Sequence, residues 1–475
     1  MELKKRVELK KADRTELYCL EPPFPRANFL IETSNACNHK CIFCAHTKMT
    51  RKIGKIKPEL AHDILRQAYE LGTREVGFYA TGEPFLVPEL PEYIKKAKEI
   101  GYEYVYLTSN GALATAERIR AVIGAGLDSI KFSINATDRR TYEFIHGKDD
   151  FYAVMDNLKH LNDYRKECGR AFRIFVTGIL TRYTEHMKDS YHEVFGGLAD
   201  EIVFKNVYNQ GGYMPEIESL LKCYTDDETF RRCNLPFDAI SVTYEGYLSI
   251  ENADYENMLV VADLNKVSLK DGWYGEKMKE VRQKFLDGDL SGLVCDGCVY
   301  HDVRPGRPTS PDLAASPELN LKESDVKRRI DEFGPPPLVY VPMAADIIHP
   351  GHINLLKEAA KYGSVMVGLF TDEAIESYKK PPSMDYGQRK TVVESLKHVK
   401  YVVSQKTKDF GANLAKFRPA YMVHGTDWKT GPLAESRQKA IDLMASWGGT
   451  VIEPEYTQGV SSSAIKEILR AHGKE

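Results

Sequence analysis

Residues 33–46 read Thr33-Ser34-Asn35-Ala36-Cys37-Asn38-His39-Lys40-Cys41-Ile42-Phe43-Cys44-Ala45-His46, which spaces three cysteines as C-x3-C-x2-C. Three thiolates this close can hold three irons of a 4Fe–4S cluster and leave the fourth iron open. An open iron can bind a small molecule and pass it one electron, so the spacing points to chemistry rather than to support. A structural zinc site wants four closed ligands, and only His39 or His46 stands near enough in sequence to be the fourth. Chance clustering is the other alternative. Just upstream, Phe29-Leu30-Ile31 reads as a short apolar strand and Glu32–Ala36 as a polar loop.

From about Asn28 to Tyr213, short apolar runs alternate with helical patterns. The runs are Glu75–Tyr79, Tyr104–Leu107, Ser129–Ile134, Phe172–Ile179 and Glu201–Phe204, with helical stretches such as Pro58–Leu71 and Pro88–Ile100 between them. Repeated strand–helix units predict a parallel sheet covered by helices, with the site at the C-terminal ends of the strands. Polar residues gather at those ends: Thr81-Gly82-Glu83-Pro84, Thr108-Ser109-Asn110-Gly111 and Ser133-Ile134-Asn135. Gly82 allows close backbone approach, and Glu83 offers an acceptor for an ammonium group. The alternative for Gly82-Glu83 is an ordinary turn, and for Ser109 and Asn110 it is turn chemistry.

The segment 33–46, with Phe43 before its last cysteine, resembles the radical S-adenosylmethionine (radical SAM) superfamily. The resemblance covers residues 28 to about 213 and implies a partial (βα)6 barrel. It implies that Cys37, Cys41 and Cys44 hold a 4Fe–4S cluster whose open iron chelates the amino and carboxylate groups of S-adenosylmethionine. An electron from that cluster then releases a 5′-deoxyadenosyl radical. Gly82 and Glu83 stand at the family's GGEP motif, which binds the methionine amino group, with Thr81 in place of the first glycine. Phe43, Ser109, Ser133 and Asn135 become cofactor contacts by the same resemblance.

Beyond the barrel come Cys223, Cys233, Cys295 and Cys298. Residues 233–254 read as two strands joined at Glu245-Gly246, followed by Val267–Trp273, a helix through Phe285 and the pair Cys295-x2-Cys298. This arrangement resembles the twitch (shortened SPASM) extension of radical SAM enzymes, a small α+β unit holding an auxiliary 4Fe–4S cluster. Cys233, Cys295 and Cys298 fit that pattern, and Glu251 stands where the cysteine after the hairpin is expected. Glu251 or Cys223 completes the cluster, or one iron is open. A zinc half-site at Cys295 and Cys298, or no cluster, is the other reading. Cys19 and Cys168 have no partner spacing and read as plain residues.

Residues 302–337 are rich in proline and read as a linker containing a short helix over Lys322–Phe333. A new α/β pattern then begins. A strand ending in Val-Tyr-Val-Pro leads through Met343–Ile348 to His349-Pro350-Gly351-His352, a helix over Ile353–Tyr362 and a second strand over Val365–Leu369. Two imidazoles at a helix N-terminus suit phosphate, and Gly351 leaves room for it. Further on lie Lys379-Lys380, Arg389, His424-Gly425-Thr426-Asp427-Trp428 and Gly459-Val460-Ser461-Ser462-Ser463, the serines preceding a helical pattern over Ala464–Ala471. The serine hydroxyls and backbone N–H groups can cap that helix and hold phosphates. Lys379 suits an anionic acceptor or is one of a solvated basic pair. Arg389 clamps phosphate or decorates a helix. Asp427 can accept from a cytosine amine.

The HxGH motif resembles the nucleotidyltransferase superfamily, with a Rossmann-like fold. There the two histidines stabilise the transition state as an oxyanion attacks the α-phosphorus of a nucleotide. Residues 338–470 resemble cytidylyltransferases acting on glycerol phosphate, ethanolamine phosphate and phosphonates. The stretches HPGHINLL, VHGTDWKTGP, WGGTVIEPEYT and GVSSS look most similar to the phosphonate-pathway members. The resemblance implies catalytic His349, His352, Lys379 and Arg389. It also implies nucleotide contacts at Asp346, Gly351, Asp427, Trp428 and Ser461–Ser463, with CTP and Mg2+ as cofactors. Thr426 replaces an acidic residue common in the family, and Tyr456-Thr457 replaces the Arg-Thr of glycerol-phosphate enzymes.

The organisation expected is therefore an N-terminal extension (1–27), a radical SAM partial barrel (28–213), a twitch-like domain (214–301), a linker (302–337) and a cytidylyltransferase domain (338–475). A chain of 475 residues has room for about three domains. A hydrophobic content of 43% excludes general disorder, and a net charge of −3 gives no sign of nucleic-acid binding. No apolar run is long enough to span a membrane, and nine cysteines at metal-like spacings without a signal peptide point to the cytoplasm. The expected activity is bifunctional: cytidylylation of a small phosphonate or phosphate monoester, and radical hydrogen abstraction on the CMP-linked compound or its precursor. A reductant such as flavodoxin or ferredoxin is implied, and the related cytidylyltransferases are commonly homodimers. The alternatives are a C-terminal domain that only binds the CMP handle, and an iron–sulfur redox sensor.

Overall fold

In the computed structural model the residues described are 15–210, 212–214, 216–217, 221, 233–296, 308–315, 325–334, 337–430, 433–455, 457, 459, 462 and 465–466. Cys223, Cys298, Ser461 and Ser463 lie outside them, as does most of the helix expected over Ala464–Ala471. The chain divides into two units: Met1–Thr184 with Tyr191–Phe333, and Gly334–Glu475 with Glu185–Ser190. Among the described residues, no helix is long and apolar enough to cross a membrane.

In the first unit, six parallel strands pair in chain order: β1 (Phe29–Ile31), β2 (Glu75–Gly77), β3 (Tyr104–Ser109), β4 (Ser129–Ser133), β5 (Arg173–Leu180) and β6 (Glu201–Asn206). Each crossover is helical, because parallel neighbours cannot be joined by a tight turn. The first crossover helix, Pro58–Glu70, shows the sequence logic. Proline opens it, and Ala61, Ile64, Leu65 and Ala68 recur at helical spacing and are buried.

The anticipated hairpin forms, as β7 (Ile240–Val242) and β8 (Tyr247–Ser249), with Gly246 at φ 87° in the turn. A third strand, β9 (Val260–Asp263), adds antiparallel to β8. Instead of standing apart, β7 pairs in parallel with β1, Phe29 opposite Ile240, so all nine strands make one sheet. The buried Arg51 fastens this joint. Its guanidinium pairs with Glu32 after β1 at 2.7 Å and with Glu245 in the hairpin turn at 2.6 Å. The helix expected in the linker is present as Val326–Phe333 and belongs to this unit, with Phe333 stacked on Phe144 at 4.0 Å.

The second unit is a five-stranded parallel sheet ordered β12-β11-β10-β13-β14, from β10 (Leu338–Met343), β11 (Ser364–Phe370), β12 (Tyr401–Gln405), β13 (Tyr421–Val423) and β14 (Thr450–Ile452). Strand order reverses between β10 and β13. In such sheets a crevice opens at that switch point, beyond the carboxyl ends of the strands. One face buries Val339, Val341, Leu356 and Val367, the other Tyr340, Phe370, Leu414 and Met422. The near-continuous apolar strands are what a sheet covered on both sides requires.

Candidate functional sites

The cysteine loop is held by its backbone. Lys40 N–H donates to His146 O and Ile42 N–H to Ile145 O, both at 2.9 Å, at the C-terminal end of helix Arg139–His146. Gly82 and Glu83 close the other side. The Glu83 N–H donates to Ala36 O at 2.7 Å, and a Cβ at Gly82 would lie 2.6 Å from that same oxygen and closer still to Ser34 O. Gly82 is thus required by the close approach of two backbones. The sequence assigned the Glu83 carboxylate to an ammonium group. Here it already accepts from Ser109 Oγ (2.8 Å), Asn110 N–H (2.8 Å) and Phe85 N–H (3.1 Å), and burial pushes its pKa up. A carboxylate has about four acceptor positions, so one is left for a ligand. Thr81 donates to Glu32, which ties the residue standing for the missing glycine to the Arg51 joint.

Burial pushes the Cys37 thiol up to about 12 and raises Cys41 and Cys44 as well, with neighbouring sulfurs adding to the rise at Cys37 and Cys41. Three thiolates coexist here only around a cation, so the donor set fits an iron–sulfur cluster. His39, Cys41 and His146 also place ligand atoms within 4.8 Å of one another. Both ring nitrogens of His39 are already engaged, Nδ1 with His146 Nδ1 at 3.1 Å and Nε2 with Asp150 at 3.0 Å. His46 Nε2 donates to Asn35 O at 2.8 Å.

His146 is a residue that sequence reasoning missed. Its Nε2 accepts from the Asn135 backbone N–H at 3.2 Å, with the Asn135 amide at the same distance. The proton of the neutral ring therefore sits on Nδ1, which lies 3.6 Å from Cys41 Sγ. Asn135 also accepts from Ile179 N–H at 2.9 Å. Its side-chain amide thus bridges β4, β5 and His146.

Phe43 and Cys44 border a cavity of about 500 Å³. Its wall is built from alternate strand residues, which share one face: Tyr106 and Thr108 of β3, Lys131 and Ser133 of β4, Thr177 of β5 and Lys205 of β6. Ser133 lines this cavity, whereas Ser109 is buried against Glu83. In the same unit, Cys295 is buried and Cys233 half-buried. Burial pushes the Glu251 carboxyl up to about 7, while its Oε1 accepts from Ala253 N–H at 2.9 Å.

In the second unit, His349 caps helix Pro350–Ala360, its Nδ1 accepting from Gly351 N–H at 3.2 Å. That bond leaves the neutral ring's proton on Nε2. A Cβ at Gly351 would lie 2.9 Å from the His349 ring, so glycine keeps the imidazole in place. The rings of His349 and His352 sit 4.0 Å apart. Burial, with His349 and Lys379 adding to it, lowers the His352 pKa to about 4, and among the described residues its buried Nδ1 has no partner. Both histidines, Gly351, Lys379, Asp427 and Ser462 line a cavity of about 400 Å³. It opens at the switch point between β10 and β13.

Three expected contacts are corrected. The Arg389 guanidinium is fully buried and donates to Ala344 O (2.6 Å), Met384 O (3.1 Å) and Asp372 (2.6 Å). Asp346 accepts from Ser383 N–H at 2.6 Å and pairs with Lys466. Both brace the loop following β10 rather than face a nucleotide. Trp428 is buried, donating from Nε1 to Glu453 at 2.7 Å, with its ring stacked 4.2 Å from His424. It supports His424, which does line the cavity. The His-Gly-Thr-Asp-Trp run carried that signal, since a buried indole next to a strand end positions its neighbours.

Residues 31–194 match the family model described as the radical SAM superfamily, and residues 344–468 match the one described as cytidylyltransferase-like. The chain thus carries one domain of each kind. It is 24% identical over 219 residues to a probable GTP 3′,8-cyclase of Methanothermobacter thermautotrophicus, covering 45% of this chain and 66% of that one. It is 33% identical over 122 residues to a PqqA peptide cyclase of Streptomyces rochei, covering 26% and 33%. The chain spans about two thirds or less of these relatives' length. Among solved structures, it is similar to Streptococcus suis SuiB bound to S-adenosylmethionine, with TM-score 0.44, 16% identity and 59% and 71% of the two chains covered. It is also similar to a lipopolysaccharide core biosynthesis protein of Thermoplasma volcanium, with TM-score 0.23, 23% identity and 26% and 98% covered.

Proposed function

We propose that the chain is a bifunctional enzyme. The second unit joins CTP to a small phosphonate or phosphate monoester and releases pyrophosphate, and the first abstracts hydrogen from the CMP-linked compound or its precursor. The observation that carries the reading is the unpartnered, buried Nδ1 of His352 in the wall of a cavity, one ring away from the Nε2–H of His349 at a helix N-terminus. Such donors suit a phosphoryl oxygen that gains charge in the transition state. Lys379 adds positive charge, and Asp427 and Ser462 complete the wall. Mg2+ is to be held chiefly by the nucleotide's own phosphates.

In the first unit Cys37, Cys41 and Cys44 are to hold the cluster, which when bound supplies the electron that cleaves S-adenosylmethionine. The chain's own residues then do three things. Glu83 keeps one acceptor position for the amino group, Phe43 and Ser133 shape the cavity, and the walls keep water from the reacting carbon. Cys233 and Cys295, with Glu251, Cys223 and Cys298, are proposed to hold an auxiliary cluster.

Pyrophosphate release from CTP, assayed with aminoethylphosphonate, hydroxyethylphosphonate and phosphonoacetaldehyde as acceptors, tests the transferase. Formation of 5′-deoxyadenosine on anaerobic reduction with S-adenosylmethionine tests the barrel. CMP binding without turnover of any acceptor leaves the second unit as a handle-binding module.

A further inference from the structure

Lysine is an uncommon lining for the inner face of a parallel sheet, yet two line the barrel cavity. Lys131 is the central residue of β4 and Lys205 the fifth residue of β6. The register places them on either side of β5. Lys131 is opposite Phe175 and Lys205 opposite Ile179, so Thr177 stands one strand and two residues from each. All three line the cavity beside Phe43 and Cys44. The described lining residues include these two ammonium groups and no carboxylate. Lys205 has no hydrogen-bond or ion-pair partner among the described residues. Its surface is open to solvent, but the concave protein around it lowers its pKa by desolvation. The buried Thr108 hydroxyl, in the same wall, also lacks a partner.

We propose that Lys131, Thr177 and Lys205 form a seat for the phosphoryl or phosphonyl oxyanion of the radical substrate. This rests on the reading above that the substrate carries phosphorus. Two lysines contribute charge from opposite sides, the threonine hydroxyl donates between them, and Thr108 takes a neighbouring polar group. A phosphorus oxyanion brings the charge opposite to that of the two lysines, and charge-assisted hydrogen bonds of this kind are stronger than neutral ones. The seat fixes the far end of the substrate, so binding energy there positions the carbon that loses hydrogen near Cys44.

The test is calorimetric titration of the anaerobic, cluster-loaded full chain with CMP and, separately, with 2-hydroxyethylphosphonate. The unsubstituted chain is compared with Lys205→Gln, Lys205→Arg and Thr177→Val. The nucleotidyltransferase cavity is the same in every protein, so the difference between isotherms reports the barrel. One class of sites should weaken about ten- to a hundredfold in Lys205→Gln and recover in Lys205→Arg. The ligand that shows the difference identifies the source as free phosphonate or CMP ester. Isotherms unchanged by Lys205→Gln overturn the proposal. So does a loss confined to a parallel titration with S-adenosylmethionine, which would assign the lysine to that carboxylate. Pyrophosphate release from CTP, assayed in the same preparations, reports the transferase separately, so failure of either reading is seen on its own.

Discussion

His146 Nδ1 lies 3.6 Å from Cys41 Sγ and carries the ring proton, because Nε2 accepts from the Asn135 backbone. A hydrogen bond to a cluster sulfur stabilises the reduced, more negative state and raises the reduction potential. His146→Phe keeps a flat ring against Tyr142, where the stacking distance is 4.0 Å, and removes the donor. The potential of the cluster, followed by EPR in a redox titration without S-adenosylmethionine, is expected to fall. The fall should correspond to one hydrogen bond to a charged group, about 1.5–3 kcal/mol. An unchanged potential would show that the proton is given wholly to His39.

Gly82→Ala puts a methyl group against the carbonyls of Ser34 and Ala36, and neither is the movable end of a side chain. Overpacking of this kind costs about 1–3 kcal/mol, and here the strain falls on the loop carrying Cys37. Iron content after anaerobic reconstitution should drop well below that of the unsubstituted protein. Gly288→Ala, where a Cβ meets nothing within 4 Å but φ is 72°, is the control for a glycine needed only by its backbone.

Removing Arg51 leaves Glu32 and Glu245 without their shared cation. Arg51→Met should cost about 3–5 kcal/mol, the usual effect of breaking one side of a buried ion pair. The loss should appear in the denaturant transition of the first unit. A triple change that also replaces both glutamates by glutamine should recover part of it. No recovery would mean that packing of the arginine stem, not charge, holds β1 to the hairpin.

His352 has its pKa lowered to about 4 by burial, against about 6.5 for an unfolded histidine. Between these values the unfolded chain binds the extra proton, so the contribution to stability is complete above about pH 6.5. It is lost as the pH falls toward 4. The shift amounts to about 3 kcal/mol at most. Carbon-13 NMR of the histidine Cε1 should show one ring titrating near the low value. CTP should raise that value, since phosphate favours the charged ring, and binding enthalpies near pH 5 should then depend on the buffer. A His352 titration unmoved by CTP would place the triphosphate elsewhere.

Local repetition was readable in the sequence. The cysteine spacing, the strand–helix alternation and the His-Pro-Gly-His turn each lie within a few residues, and each appears in the fold at nearly the expected limits. Features that depend on distant pairing were not. Nothing near Ile240 announces that it will lie opposite Phe29, so the hairpin reads as part of a separate domain, and β9 goes unanticipated. His146 is a hundred residues from the sulfur it approaches. Nothing in the spacing of Lys131 and Lys205 marks them as cavity residues, because only curvature of the sheet makes their face an interior. Arg389 reads as a phosphate clamp or a helix-surface cation, and its three acceptors come from the end of β10, a loop and a helix start whose approach no periodicity reveals.

The short helix Val326–Phe333 also decides where the molecule can be divided. Arg329 donates to the carbonyl of Lys40, between the first two cysteines, and to that of Phe144, while Phe333 covers the Phe144 ring. A cut in the proline-rich run before this helix would leave the back of the cysteine loop bare and carry an apolar ring away on the other fragment. A fragment ending after Phe333 keeps both arginine contacts and the ring that covers Phe144.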